Sequence, residues 1–335
     1  MRILIFHGYL LRGTGSNIYN AELARALVDL GHEVHLFCQE ERPAEFGFVD
    51  AVGRWRHGDL DVEVTRQPAR CTAYVPDIGG VLPLYVADKY EGFDARPFPE
   101  LTDAEVGRYI AANAAAVGDV VAAVQPDVAL ANHLIMGPVI LARALAGRVP
   151  YAVKIHGSAL EYTVRPDVKR FGPYAREGLA GAAGILAGSR HTAESLWEVA
   201  GMPDLPARTR LLGPGVDISR FHVRPAAEAR DRLHALADRL EADRPAWGGE
   251  ADAALAIRAA DPTRDQVVSY VGKLIAAKGV DLLIAAWPLV VDRAPDARLM
   301  IAGFGAYRPA LLDLVRVLGD GDLAAARAIA GRGRE

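Results

Sequence analysis

The chain has 335 residues, 51% of them hydrophobic and 24% charged, a globular composition long enough for about two domains. A net charge of −4 offers no positive field for nucleic acid, and 33 Gly with 20 Pro are too few for a collagen-like or low-complexity chain. Two cysteines, Cys38 and Cys71, cannot staple a small secreted scaffold, and no apolar run reaches the ~18 residues of a membrane helix. The expectation is a cytoplasmic two-domain protein.

The elements follow in order. Ile3 to Phe6 is a continuous apolar run, as in a strand buried on both faces. A glycine-bearing loop over Arg12 to Asn17 leads into a helix with Leu23, Ala24, Leu27 and Leu30 at helical spacing. Gly31 stands where that helix should stop, and Val34 to Cys38 reads as a second strand. This is a βαβ unit, which implies parallel strands. Residues 42–100 are irregular, with one clear strand candidate, Val62 to Thr65. The rhythm returns with helix 102–124, strand 127–131, helix 137–146 and strand 150–155. A helix near 172–181, strand 183–187, helix 190–200 and a short strand at 208–212 follow. Such alternation predicts an open, doubly wound parallel sheet over residues 1–212.

Residues 213–266 break the pattern, with a Gly213-Pro214-Gly215 turn cluster and a charged helix over 225–242, and read as a linker and insertion. Residues 267–335 begin a second α/β sheet: strand 267–272, helix 279–292, strand 298–302, helix 308–318. Two strands cannot bury both faces of a parallel sheet, so this second domain reads as incomplete or in need of a partner.

Three places could carry chemistry. Gly13 and Gly15 lie between a strand and a helix, where bare backbone and a helix N-terminus suit a phosphate; Ser16 or Asn17 could cap that helix. An ordinary strand-to-helix turn fits the same residues. Ile18 stands where a dinucleotide fingerprint would have its third glycine, which argues against a nicotinamide cofactor. His156-Gly157-Ser158 directly follows a strand, at the end where α/β proteins bind ligands, and His133 repeats that placement after the preceding strand. A backbone-satisfied structural histidine is the alternative for each. Lys273 ends a strand and Lys278 opens the next helix, a pair suited to a diphosphate if not simply solvated. Gly303 and Gly305 form either a ligand-facing loop or a plain turn. The cations Arg165, Lys169, Arg170 and Arg176 make either a solvated helix face or a contact with lipid head groups. No nucleophile elbow, Walker loop or zinc-spaced Cys/His cluster occurs in the sequence.

Taken together the pieces resemble a retaining glycosyltransferase of family 4, with the GT-B fold. MRILIFHGYLLRGTGSNIYNAELARALVDLGHEVHLFC resembles that family's opening strand, glycine loop, helix and second strand. PYAVKIHGSALEY resembles its "HG" strand end, and ILAGSRHTAESL with LLGPGVDISRF the close of its first domain, where Pro214 replaces the usual Asn. VVSYVGKLIAAKGVDLLIAAWPLV resembles its "VGRL…KG" signature, with Lys273 where Arg is usual, and ARLMIAGFGAYRPAL its "GxGP" turn, with Ala306 for Pro.

The resemblance implies two Rossmann-like domains. It implies transfer of a sugar from a nucleotide-sugar donor to a glycan, lipid or small-molecule acceptor, with retention and without metal or other cofactor. The second domain would bind the nucleotide and the first the acceptor. Lys273, Lys278, Gly13 and Gly15 would hold the diphosphate, His156 would touch the transferred sugar, and His133, Gly157, Ser158 and Gly305 could contact sugar or acceptor. The family's Glu-x7-Glu element has no counterpart in the second half; the one such pair, Glu33 and Glu41, flanks the second strand. That implies a second domain cut short and impaired activity. Two other readings remain: a nucleotide-sugar epimerase of the same architecture, or a non-catalytic interaction protein that pairs through its unfinished sheet, as in a homo-oligomer.

Overall fold

The structure, a computed structural model, describes residues 1–86, 93–242 and 252–332. It divides into two compact units, Met1–Gly215 and Val216–Glu335.

The first unit is built on nine strands. These are β1 (Arg2–Phe6), β2 (Glu33–Phe37), β3 (Ala51–Arg56), β4 (Asp59–Val64) and β5 (Cys71–Val75), then β8 (Val128–Asn132), β9 (Tyr151–Ile155), β10 (Gly184–Ala187) and β11 (Thr209–Leu211). Two further short strands, β6 (Val81–Leu84) and β7 (Asp94–Pro97), pair with each other in a small separate sheet. The large sheet runs β11-β10-β9-β8-β1-β2-β5-β3-β4. Every pairing in it is parallel except the β3–β4 hairpin. The chain leaves β1 toward β2 and later returns to the other flank through β8, so the strand order reverses between β1 and β8. In an open α/β sheet that reversal opens a crevice at the carboxyl ends of the strands.

Successive residues of β1 face opposite ways. Leu4 and Phe6 enter a core with Phe37, Val117, Ile140 and Val153. Ile5 enters the core of the other face with Leu36, Ala21 and Ala24. The last two belong to helix α1 (Gly15–Asp29), which ends as expected: Gly31 takes φ +86° just beyond the Leu30 cap. Helix α2 (Asp103–Val124) starts on a capping box in which Thr102 and Glu105 satisfy each other's backbone N–H. Helix α3 (Gly137–Leu145) follows β8.

Two expectations needed correction. The helix foreseen near 172–181 starts earlier, at Val168, and contains Pro173. Asp167 caps it by accepting the Arg170 N–H, and its buried Phe171, Ala175 and Leu179 hold the extra turn in place. The stretch 42–100, read as carrying one strand, carries five, from β3 to β7.

Gly178 of that helix lies against α3. A Cβ there would sit 2.4 Å from Pro138 Cβ and 2.7 Å from the Val139 nitrogen. Backbone cannot yield that far, so Gly178→Ala should lower stability by about 2 kcal/mol, read as a lower urea midpoint. An unchanged midpoint would mean the two helices slide apart freely.

The second unit has a parallel pair, β12 (Gln266–Val271) and β13 (Ala297–Ala302), in register Tyr270 with Ile301. Its core gathers Val280 and Ile284 from helix Val280–Arg293, Leu311 and Leu314 from helix Arg308–Gly319, and Ile329 from helix Leu323–Arg332. A charged helix, Ala226–Ala242, precedes them and is held to helix Ala253–Arg258 by Arg258, which pairs with Asp238 at 2.8 Å and Glu241 at 2.7 Å.

Candidate functional site

Three histidines stand at the carboxyl edge of the first unit's sheet. His7 follows β1, His133 follows β8 and His156 follows β9, so they border the reversal between β1 and β8. The His133 ring lies 6.3 Å from that of His7 and 4.8 Å from that of His156. The edge of the Tyr19 ring, from α1, meets His156 at 5.3 Å. The helix that carries the glycine loop and the strand that carries the "HG" pair therefore meet in one place.

Burial keeps this cluster uncharged. It lowers the His7 and His156 pKa values to about 4; at His156 the neighbouring His7 and Lys154 add to the effect, whereas at His7 the hydrogen bonds to the Leu10 carbonyl and Asn17 partly oppose it. His133 is driven well below the usual value, first by burial and then by His156 and His7. At neutral pH the cluster is a set of neutral imidazoles, able to exchange hydrogen bonds with hydroxyl groups but bringing no charge. His156 Nε2 meets Asn132 Oδ1 at 3.0 Å; with the amide oxygen as acceptor, the proton is on Nε2 and Nδ1 is left as an acceptor.

His133 is more enclosed than its strand-end position suggested. It is 2% exposed, at φ +67°, walled by Tyr9 and Tyr85, and neither ring nitrogen finds a hydrogen-bond partner among the described residues. Gly157 is exposed and Ser158 half-buried, in the turn that follows His156. Gly13 takes φ +95°, and Gly15 is the exposed first residue of α1. The expected cap is corrected here. Thr14 occupies the cap position without a side-chain bond to the helix backbone, its hydroxyl pairs with that of Ser16 at 3.3 Å, and Asn17 turns inward to His7.

In the second unit Lys273 follows β12, and its carbonyl accepts the Tyr270 hydroxyl at 2.9 Å. Lys278 is exposed and closes a short turn directly before helix Val280–Arg293. Gly303 and Gly305 have a packing reason: a Cβ would lie 2.0 Å from the Gly272 oxygen in one case and 2.3 Å from the Leu274 oxygen in the other. These glycines let the turn after β13 press against the Lys273 loop.

The basic stretch is partly neutralised. Arg165 pairs with Glu161 at 3.0 Å and Glu198 at 3.2 Å, and Arg170 with Asp103 at 2.8 Å. Lys169 and Arg176 are exposed. Among the described residues no helix is long and apolar enough to cross a membrane, and no group of three His, Cys, Asp or Glu side chains is placed to hold a metal ion.

Sequence reasoning passed over two residues. His7 is 1% exposed at the end of β1, and Lys154 is 3% exposed within β9. Lys154 lies two residues before His156, hence on the same face of the strand. Its Nζ donates to the Leu212 carbonyl and sits 5.6 Å from the Tyr19 ring centre; burial lowers its pKa. A lysine inside an otherwise apolar strand was the available signal.

A doubly wound first unit, a second α/β unit and polar groups gathered at a strand-order reversal define an α/β protein of the GT-B type. The profile of Glycosyltransferase Family 4 matches residues 13–220, and the chain belongs to that family. No curated protein matches it. Among solved structures it is similar to a sucrose-phosphate synthase from Thermosynechococcus elongatus, with TM-score 0.55 and 18% identity, covering 96% of this chain and 68% of that one. It is also similar to the catalytic domain of Starch Synthase IV from Arabidopsis thaliana bound to ADP and acarbose, with TM-score 0.51 and 12% identity over 91% of this chain and 68% of that one. A third is the N-terminal domain of a trehalose-6-phosphate phosphatase from Candida albicans, at 0.50 and 12%, over 100% and 70%. At these identities the likeness is one of fold.

Proposed function

We propose that this glycosyltransferase moves a sugar from a nucleotide-diphosphate-sugar donor to an acceptor hydroxyl, with retention at the anomeric carbon and without a metal. The observation that supports the reading is the meeting of α1 and β9: Tyr19 packs on His156, so an uncapped helix start with a glycine loop and a neutral strand-end histidine share one edge of one sheet. As the bond between the sugar's C1 and the phosphate oxygen breaks, negative charge grows on the departing diphosphate. Backbone N–H groups at Gly13 and Gly15 and the ammonium groups of Lys273 and Lys278 are donors of the kind that stabilise such charge. Neutral His156, with Gly157 and Ser158 beside it, would bond a hydroxyl of the transferred sugar. His133 is a candidate for the acceptor side. The reading places the reaction in the cytoplasm, where Cys38 and Cys71 would stay as the buried free thiols they are here.

The test is calorimetry with UDP-, GDP- and ADP-sugars, followed by NMR of the product's anomeric configuration in the presence of EDTA. One donor should bind and react with its configuration kept. Absence of binding by every nucleotide sugar would refute the enzyme reading, and an inverted product or a requirement for metal would refute its mechanism. His156→Ala should lower kcat/KM for the donor about tenfold, the value of one hydrogen bond.

A further inference from the structure

The loop that carries Gly13 and Gly15 is shaped from inside by side chains with no assigned role. His7 Nε2–H points at two acceptors, the Leu10 carbonyl at 3.0 Å and Asn17 Oδ1 at 3.2 Å. On the other side of the ring, Nδ1 accepts from Asn20 Nδ2 at 3.0 Å. Both asparagines in turn hold the loop: Asn17 Nδ2 donates to the Arg12 carbonyl at 2.7 Å, and Asn20 Nδ2 to the Ser16 carbonyl at 2.8 Å. Carbonyls 10 and 12 are thus drawn inward by one buried trio, which Asn20 ties to the first turn of α1 through the Ser16 carbonyl. His7, Asn17 and Asn20 are 1%, 1% and 0% exposed. A trans peptide sets its N–H opposite its C=O, so an inward Arg12 carbonyl sends the Gly13 N–H outward.

From outside, buried Glu40 accepts the Leu11 N–H at 3.1 Å and faces Arg12 Nε at 3.5 Å. The root of the loop is fixed as well, because the His7 and Gly8 amides both donate to the Phe37 carbonyl at 3.1 and 3.0 Å. A loop containing a glycine at positive φ has many conformations open to it. Here every inward carbonyl has a named partner, and the network accounts for the one conformation adopted.

We infer that His7 is a positioning residue: through Asn17 and Asn20 it turns the loop's carbonyls in, so that the amides around Gly13 and Gly15 face a bound phosphate. The part concerning phosphate rests on the transferase reading; the shaping of the loop does not. The neutral ring is suited to the task because it donates on one nitrogen and accepts on the other. Protonated, it could not accept from Asn20.

The experiment compares the full chain with His7→Ala, His7→Gln and Asn20→Ala. Amide hydrogen exchange is followed over residues 10–18, with β12 and β13 as an internal reference, and donor KM and kcat are measured for each variant. Loss of the paired bonds should speed exchange in the loop about tenfold and raise donor KM about tenfold, leaving acceptor KM and the reference strands unchanged. His7→Gln, which keeps a donor and an acceptor, should recover part of both. Loop exchange equal to that of the unaltered protein overturns the inference. So does an equal loss in every parameter with no rescue by Gln, which would mark His7 as a general core residue. If the unaltered protein binds no nucleotide sugar while His7→Ala still loosens the loop, the transferase reading fails and the shaping role stands. Normal transfer with unchanged donor KM in all three variants removes the positioning role alone.

Discussion

Between pH 7.5 and pH 4.5 the protein should lose about 3–5 kcal/mol of stability, read as a fall in the urea midpoint of the first unit. The source is the histidine cluster. An unfolded chain binds a proton on each histidine as the pH drops below about 6.5. In the folded chain His7 and His156 stay neutral until about pH 4. Their folded values are depressed, so the stability is fully present above pH 6.5 and is lost as the pH falls from 6.5 toward 4. For buried His7 the difference at pH 4.5 is about 2–3 kcal/mol; for half-buried His156 solvent reduces it. His133 and His35, also lowered by burial, act in the same direction. Carboxylates do not obscure the window. Glu105, held near pKa 2 by the Thr102 backbone N–H, Arg96 and the Thr102 hydroxyl, begins to lose its contribution as the pH falls through the unfolded value of 4.5 and completes the loss near 2, so most of that loss lies below the window. Equal urea midpoints at the two pH values would show that the cluster is already hydrated or charged.

Lys273→Ala should lower kcat about 10²–10³-fold, or ~3–4 kcal/mol of transition-state stabilisation, with the fold retained. In the proposed reaction charge would appear on the leaving diphosphate only as the sugar bond breaks, so the loss belongs in kcat more than in KM. The fold should survive because the backbone bonds that anchor this loop are kept, among them those of the Lys273 carbonyl with the Tyr270 hydroxyl and of the Leu274 N–H with the Phe304 carbonyl. Lys273→Arg keeps the charge and should keep most of the rate. Lys278→Ala should act in the same direction, and the double variant should fall short of the product of the two, since both would serve one phosphate group. A kcat within twofold of the unaltered enzyme, measured at saturating donor, would remove Lys273 from the chemistry.

Elements built from continuous apolar runs were legible in the sequence. β1, with Leu4, Ile5 and Phe6 buried on both faces, read as such, and β9 and β10 read as strands from their alternation with helices. Apart from β4, which overlaps the strand expected at Val62 to Thr65, the run β3 to β7 was not legible, for reasons visible in its residues. β3 is Ala-Val-Gly-Arg-Trp-Arg, a strand with a glycine inside it, where a Cβ would strike the Tyr74 ring at 2.5 Å. β6 contains Pro83 and β7 ends in Pro97, residues that ordinarily argue against a strand. The β3–β4 turn is His57-Gly58 with both φ values positive, a hairpin turn usually marked by Asn-Gly or Asp-Gly.

The strand-end place of the candidate cluster was legible where a histidine was followed by glycine, as at His156 after β9. His7 carried the same signal, a histidine followed by a glycine after β1, and was passed over. Asn17 stood with Ser16 as a possible cap because both residue types favour a helix start. Its partner Asn20, three residues on and therefore on the same helix face, was the sign that both point inward.

The nine-stranded sheet also ends in a particular way. Its outermost strand on one side, β4, reads Asp-Leu-Asp-Val-Glu-Val and carries Asp59, Asp61 and Glu63 in exposed positions. On the opposite side β11 is three residues long. A flat, uncharged border would invite a neighbouring molecule to add a strand and go on adding them. Here one border repels its own likeness by negative charge and the other is too short to template growth. Both margins of the first unit thereby disfavour fibrous self-association near neutral pH.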